Sequence, residues 1–303
     1  MLKRRLTQII TTAATNFYWQ GFTRATIYRG PLKQFCHPGL HCYSCPSAVT
    51  ACPLGALQNS LGSLREHVSA RRLNLGLYVV GWIGLSGVVF GRFICGWLCP
   101  FGFLQDLLSK IPTLKFRLPR FTTKLKYVLL AVLVIAAPLA TSFLHPGVAG
   151  EPWYCKAFCP AGTLEAGLPK LLFDPGIRDA LGGWFRRKWI VLIAFLFLMV
   201  VVPRAFCRLG CPLGAIYGLF NRISFYRLRV ERDKCTGCDA CARACPMDVH
   251  VRTEANHSEC IRCLKCVEAC PSHAVIGGFV SNAGSKNRRL EGSLADPGRS
   301  HPA

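Results

Sequence analysis

Acidic side chains are scarce in this 303-residue chain: 15 Asp and Glu face 37 Lys and Arg, giving a formal net charge of +22 at pH 7. A nucleic-acid-binding protein would gather such an excess into one stripe. Here the basic residues flank apolar segments instead, so no nucleic-acid partner is expected. No Cys-x-x-Cys-His occurs, which argues against covalent c-type haem. The three clear apolar segments contain no histidine, the commonest axial ligand of a b-type haem. Neither a dinucleotide-binding glycine fingerprint nor a P-loop appears, so flavin, nicotinamide or ATP would belong to a partner. The stretch after Lys3, Arg4 and Arg5 is too polar for a signal-peptide h-region, and no cleavable leader is expected.

What the chain has in abundance is cysteine: 18 residues, seven of them directly followed by proline, at Cys45, Cys52, Cys99, Cys159, Cys211, Cys245 and Cys270. The C-terminal eight are the most specific. Cys235, Cys238, Cys241 and Cys245 form one C-x2-C-x2-C-x3-C-P run, and Cys260, Cys263, Cys266 and Cys270 form a second. In bacterial ferredoxin spacing, three close thiolates wrap one [4Fe-4S] cube and the fourth reaches the other. Cys235, Cys238, Cys241 and Cys270 are therefore assigned to one cluster, and Cys260, Cys263, Cys266 and Cys245 to the other. A zinc module or a disulfide framework calls for neither run.

Apolar residues make up 51% of the chain and its mean hydropathy is +0.30. With the basic excess, this composition suits a membrane protein carrying Lys and Arg in its loops. Leu73 to Gly91, Tyr127 to Leu144 and Trp189 to Val202 are uncharged and bounded by basic residues. Spans are expected at 73–92, 125–144 and 189–206, the last requiring Arg204 to snorkel towards headgroups. Residues 6–22, with Phe17, Tyr18 and Trp19 as an interfacial belt, are either a fourth span or an amphipathic surface helix. Gly87-x-x-x-Gly91 would allow close helix packing.

Four Cys-Pro segments share one template: Cys52-Pro-Leu-Gly, Cys99-Pro-Phe-Gly, Cys159-Pro-Ala-Gly and Cys211-Pro-Leu-Gly, at intervals of 47, 60 and 52 residues. The last three copies have a partner four residues earlier, at Cys95, Cys155 and Cys207; the first offers Cys36, Cys42 and Cys45. Proline suits the first helical position, so each thiol would sit at a helix N-terminus, where free N–H groups favour thiolate or an anionic cluster. Inert buried thiols are the alternative. If each span crosses once, the copies alternate between membrane faces. Cys95, Cys99, Cys207 and Cys211 would then share the ferredoxin side and could hold a further cluster. Cys36, Cys42, Cys45, Cys52, Cys155 and Cys159 would lie opposite, as a cluster, thiols or a disulfide. The loop bearing Arg92, Lys110, Lys115, Arg117, Arg120 and Lys124 is the expected cytoplasmic one, whereas the loop from His145 to Arg187 is more balanced, with Asp174 and Asp179. Arg71 and Arg72 weaken that bias. His37 and His41, among the N-terminal cysteines, are candidate metal ligands that read first as surface-loop residues, and Glu165 and Asp106 read as proton relays or as solvated or capping groups.

Cys95-Gly-Trp-Leu-Cys99-Pro and Cys207-Arg-Leu-Gly-Cys211-Pro, followed by the double ferredoxin motif, resemble the NapH and MauN type membrane ferredoxins and the polyferredoxin domain of NosR. The resemblance covers about residues 75 to 275. It implies a multi-span protein of the bacterial or archaeal cytoplasmic membrane, with cytoplasmic clusters, that passes electrons between quinone and other redox proteins. Cys155, Cys159 and the N-terminal cysteines depart from the NapH pattern. The expected architecture is mainly α: a membrane domain at 1–226, a small α+β two-cluster ferredoxin domain at 227–276, and a disordered tail at 277–303. Redox sensing, metallocofactor maturation or a metal-stabilised adaptor are the alternatives to electron transfer.

Overall fold

The computed structural model describes residues 2–24, 26–69, 74–144, 150–173 and 182–279. Arg71, Arg72, His145, Asp174, Asp179 and the expected tail beyond residue 279 lie outside the described residues. The described residues are mainly helical, with one two-stranded sheet among them. Three longer helices, Asn74–Phe90, Arg120–Leu144 and Gly183–Val201, form the frame. Among the described residues, Arg120–Leu144 alone is long and apolar enough to cross a membrane by length and composition. Its turns widen to i→i+5 at Leu130–Ala136. Pro138 has no N–H to give the carbonyl four residues earlier, and a wide turn beside such a gap is a usual accommodation.

The third long helix differs from its expected limits. It begins at Gly183 and stops at Val201, because Val202 precedes Pro203 and is pushed to extended geometry, φ −118° and ψ 118°. Arg204 then turns left-handed at φ 58°, and a short helix, Ala205–Leu209, follows. Arg204 does not snorkel. It is 1% exposed, donates from Nη1 to the Cys95 carbonyl at 2.7 Å, and pairs with Asp106 at 2.5 Å.

Residues 6–22 do not form one span either; a 14-residue helix, Leu2–Thr15, is followed by a single turn, Gln20–Thr23. Its polar face points inward: Arg4 and Gln8 are buried and both donate to the Gly96 carbonyl. Leu2, Leu6, Ile9 and Ile10 face outward.

Each Cys-Pro template opens a helix as expected, at Pro53–Gly62, Pro100–Leu108, Pro160–Gly162 and Pro212–Phe220, with its cysteine at the N-cap. The C-terminal domain is closed by an antiparallel pair, β1 (Tyr226–Val230) and β2 (Val275–Phe279), which ties its entry to its exit. Between them the two cysteine runs repeat each other in backbone geometry. Positive φ recurs at Gly237 and Arg262, Asp239 and Leu264, and Asp248 and His273, at matching distances from the cysteines.

Candidate iron–sulfur centres

In the C-terminal domain, Cys235, Cys238, Cys241 and Cys270 line a single cavity. Cys238 is exposed, so this site lies at the surface. Cys245, Cys260, Cys263 and Cys266 gather in a second site, close enough that ionised neighbours push the Cys260 and Cys266 thiols up, on top of the dominant effect of burial. Each run therefore places three cysteines in one group and its fourth in the other, the grouping expected from the spacing.

The second and fourth templates meet in the helical domain. Cys95, Cys99, Cys207 and Cys211 are all buried and line one cavity with Gly39, Leu40, Phe101, Gln105, Phe206 and Leu213. Apart from the four thiols, the Gln105 amide is the one polar side chain in that lining. Four N–H groups are directed at sulfur: Gly102 N to Cys99 at 3.3 Å, Gly214 N to Cys211 at 3.4 Å, and both Gln105 Nε2, at 3.1 Å, and Arg204 Nη1, at 4.0 Å, to Cys207. The two halves are reciprocal. Arg92, three residues before Cys95, donates to the Cys207 carbonyl at 3.1 Å, while Arg204, three before Cys207, donates to that of Cys95.

The arginines reach in because the template glycine leaves room: a Cβ at Gly102 would lie 2.7 Å from Arg204 Nη1, and one at Gly214 would lie 3.3 Å from Arg92 Nη2. Each arginine shares a carboxylate with a second cation. Arg92 and Lys126 hold Glu259; Arg204 and Arg4 hold Asp106. Both triads keep one net positive charge beside the thiols. Surrounding cations bring the Asp106 carboxyl down to about 2 against the opposing effect of burial. Asp106 is thus an ion-pair anchor, not a solvated group. Burial raises the Cys95 thiol, and Arg92 opposes that shift.

Among the described residues, no three His, Cys, Asp or Glu side chains converge as a single metal ion requires. Four thiols spread around one cavity suit a multi-atom cage better. The donor set fits as well: sulfur ligands, N–H donors to sulfur, net positive charge, and a buried Arg92 Nε–H with no protein partner.

The N-terminal cysteines separate. Cys42, Cys52, Cys155 and Cys159 lie within electrostatic reach of one another, whereas burial alone governs Cys36, and Cys45 contacts the Ser47 hydroxyl at 3.2 Å. The loop carrying them is not superficial. His37 and His41 are buried, His37 Nε2 lying 2.9 Å from the Leu98 carbonyl and His41 Nε2 3.0 Å from that of Thr50, so the surface-loop expectation fails for both. Leu40 accepts from Phe101 N at 3.5 Å. The N-terminal cysteine loop thereby packs against the second template, and the two sets of cysteines are neighbours instead of being held apart by the length of the spans. Between them stand Tyr154 and Tyr217, fully buried, which donate to the carbonyls of Gly210 at 2.7 Å and Pro38 at 3.0 Å. Glu165 accepts from Cys42 N at 2.5 Å, and its burial lifts the carboxyl to about 7.

The ferredoxin domain docks on the cysteine segments themselves. Trp97 Nε1 donates to the Arg262 carbonyl at 3.1 Å, and Asn221 donates to the Cys260 carbonyl at 2.8 Å while accepting from Arg92 N at 2.9 Å. Sequence reasoning passed over Gln58, Gln105, Asn221 and Glu259, and read Arg92 and Arg204 only as charges flanking apolar segments. A constant offset from the template cysteines is the signal that four of them carry.

Two paired cysteine quartets in a clasped α+β domain, fixed to a helical domain rich in further thiols, define an iron–sulfur protein of the ferredoxin type. Comparison with known proteins agrees. The model of a 4Fe-4S binding domain matches residues 72–119, 128–191 and 189–231, and that of a 4Fe-4S dicluster domain matches 227–283. The chain belongs to the polyferredoxin family of MauN, NapH and NosR, with [4Fe-4S] clusters as cofactors.

The methylamine utilization ferredoxin-type protein MauN of Paracoccus denitrificans is 33% identical over 61% of this chain and 58% of its own length. The ferredoxin-type protein NapH of Haemophilus influenzae is 26% identical over 60% and 58%. The regulatory protein NosR of Stutzerimonas stutzeri is 30% identical over 57% of this chain and 23% of its own. The chain thus spans little more than half the length of its ferredoxin-type relatives. No solved structure matches.

Proposed function

We propose that the chain is an integral membrane protein carrying electrons between quinol in the bilayer and a soluble redox partner, with the ferredoxin domain on the cytoplasmic side. Cys235, Cys238, Cys241 and Cys270 hold one [4Fe-4S] cluster and Cys245, Cys260, Cys263 and Cys266 a second; Cys95, Cys99, Cys207 and Cys211 hold a third. The observation that carries this reading is the position of that third quartet, between the apolar helices and the domain that bears the other two. When bound, the clusters supply one-electron chemistry. The protein's part is to bury them, donate N–H groups to sulfur and fix their spacing. A quinol loses two electrons and two protons on becoming a quinone; the electrons leave singly for the acceptor and the protons go to water.

Lipid contact is supported by outward apolar side chains along the frame helices, such as Leu77, Val132, Phe143, Ile193 and Phe197. The orientation is supported by the basic loop, whose Arg117 and Arg120 pair with Asp248 and Glu254 of the ferredoxin domain. Protein purified anaerobically with its clusters and placed in liposomes is expected to pass two electrons from each quinol analogue to a soluble one-electron acceptor. A fully loaded protein that neither takes nor gives electrons would sink the electron-transfer reading. Redox sensing is the second reading, prompted by the regulatory relative, and predicts cluster reduction by quinol without onward turnover.

A further inference from the structure

The first and third templates build the same device as the second and fourth. In both pairs, one cysteine caps a Pro-led helix from each template, and another lies four residues upstream in the later one: Cys52 with Cys155 and Cys159, Cys99 with Cys207 and Cys211. In both pairs, a fully buried glutamine six residues after the earlier Cys-Pro cysteine donates to the upstream cysteine of the later template. Gln105 reaches Cys207 at 3.1 Å and Gln58 reaches Cys155 at 3.2 Å. Each glutamine also accepts a backbone N–H from its partner template, Gln105 from Cys207 at 3.3 Å and Gln58 from Tyr154 at 2.9 Å. Gly162 N donates to Cys159 at 3.4 Å, as Gly102 and Gly214 do to theirs.

One ligand position differs. Four residues before Cys52 stands Ala48, where Cys95 stands before Cys99. Cys42 takes the vacant role. Its Sγ lies 3.7 Å from the place where a Cβ on Gly162 would be, and its backbone N–H is held by Glu165, the residue at the glutamine offset in the third template. Its thiol senses those of Cys52 and Cys155, and Cys159 senses all three.

We infer that Cys42, Cys52, Cys155 and Cys159 form a fourth [4Fe-4S] site, and that Cys36 and Cys45 remain thiols. The site recruits two ligands from residues ahead of position 72, where the family match begins. It rests on the electron-transfer reading only in extending the line of centres past Tyr154 and Tyr217, away from the ferredoxin domain.

Iron and acid-labile sulfide in the anaerobically purified full chain test it. About sixteen irons per chain are expected, four for each of four sites. Cys42→Ala, Cys52→Ala and Cys155→Ala should each lower the count by about four while the ferredoxin electron-paramagnetic signals persist, and Cys36→Ala and Cys45→Ala should leave it unchanged. A wild-type count of about twelve, reduced by Cys207→Ala but not by Cys52→Ala, overturns this inference alone. About eight removes the third site as well. Loss of iron in Cys45→Ala but not Cys42→Ala overturns the assignment of the fourth ligand. Should the alanine variants fail to accumulate, the wild-type count decides.

Discussion

Gln58 and Gln105 are placed to tune the clusters proposed at Cys155 and Cys207, each directing one amide N–H at a sulfur. An amide N–H held against a ligand sulfur stabilises the more negative, reduced state more than the oxidised one, so it raises the reduction potential. Both glutamines are fully buried, which removes competition from water. A net hydrogen-bond contribution of about 1 kcal/mol corresponds to about 40 mV for a one-electron couple. Gln105→Leu should therefore lower the potential of the centre at Cys207 by about that amount with iron content unchanged. A redox titration followed by electron-paramagnetic resonance reads the shift; an unmoved midpoint with intact clusters would show that the contact is only packing.

The two ferredoxin groupings and the quartet of the second and fourth templates were legible in sequence because their cysteines recur at fixed spacings. The glutamines were not, since an amide carries no such constraint and only its recurrence at one offset from Cys52 and Cys99 marks it. Cys42 is harder still, because its place is fixed by a fold contact with the third template and not by the repeat.

At the scale of elements, the Pro-led helices were legible because proline and the N-cap position act locally. The helix end at Val201 was equally local, written in Pro203, yet the apolar run past it drew the expected span on to residue 206. What the run hid is an ion-pair anchor. Arg204 occupies a left-handed turn that costs a non-glycine residue about 1–2 kcal/mol, and its guanidinium is held there by Asp106 at the far end of the Pro100–Leu108 helix. Asp106→Asn leaves Arg204 and Arg4 buried without a counter-charge. Breaking one side of such a pair costs about 3–5 kcal/mol. Chemical unfolding in detergent should show a loss of that order, with the third quartet losing iron before the ferredoxin domain does. Wild-type stability in this variant would mean that the anchor is not what sets the turn.

On the scale of the whole molecule, the ferredoxin domain is fixed to the helical domain and does not hang from it as a tethered carrier. The two cysteine runs differ at one matched position. Before Cys238 the left-handed residue is Gly237, which adopts φ 74° without steric penalty; before Cys263 it is Arg262, at φ 49°. The arginine bears that strain because its side chain reaches out of the domain, donating to the Phe90 carbonyl at 2.8 Å and the Asn221 carbonyl at 2.7 Å. Those carbonyls end the Asn74–Phe90 and Pro212–Phe220 helices, so one side chain fixes the ferredoxin domain to two supports of the third quartet. Arg262→Gly should thus relax the loop and sever the dock together. Iron content and the ferredoxin signals are expected to stay at wild-type levels, while protease accessibility of the 220–232 segment rises and electron transfer from quinol to the soluble acceptor slows. Direct reduction of the ferredoxin centres by a soluble reductant should be unaffected. If quinol-driven transfer through Arg262→Gly matches wild type, the domain does not need its dock, and the path between the second and third quartets is not set by this contact.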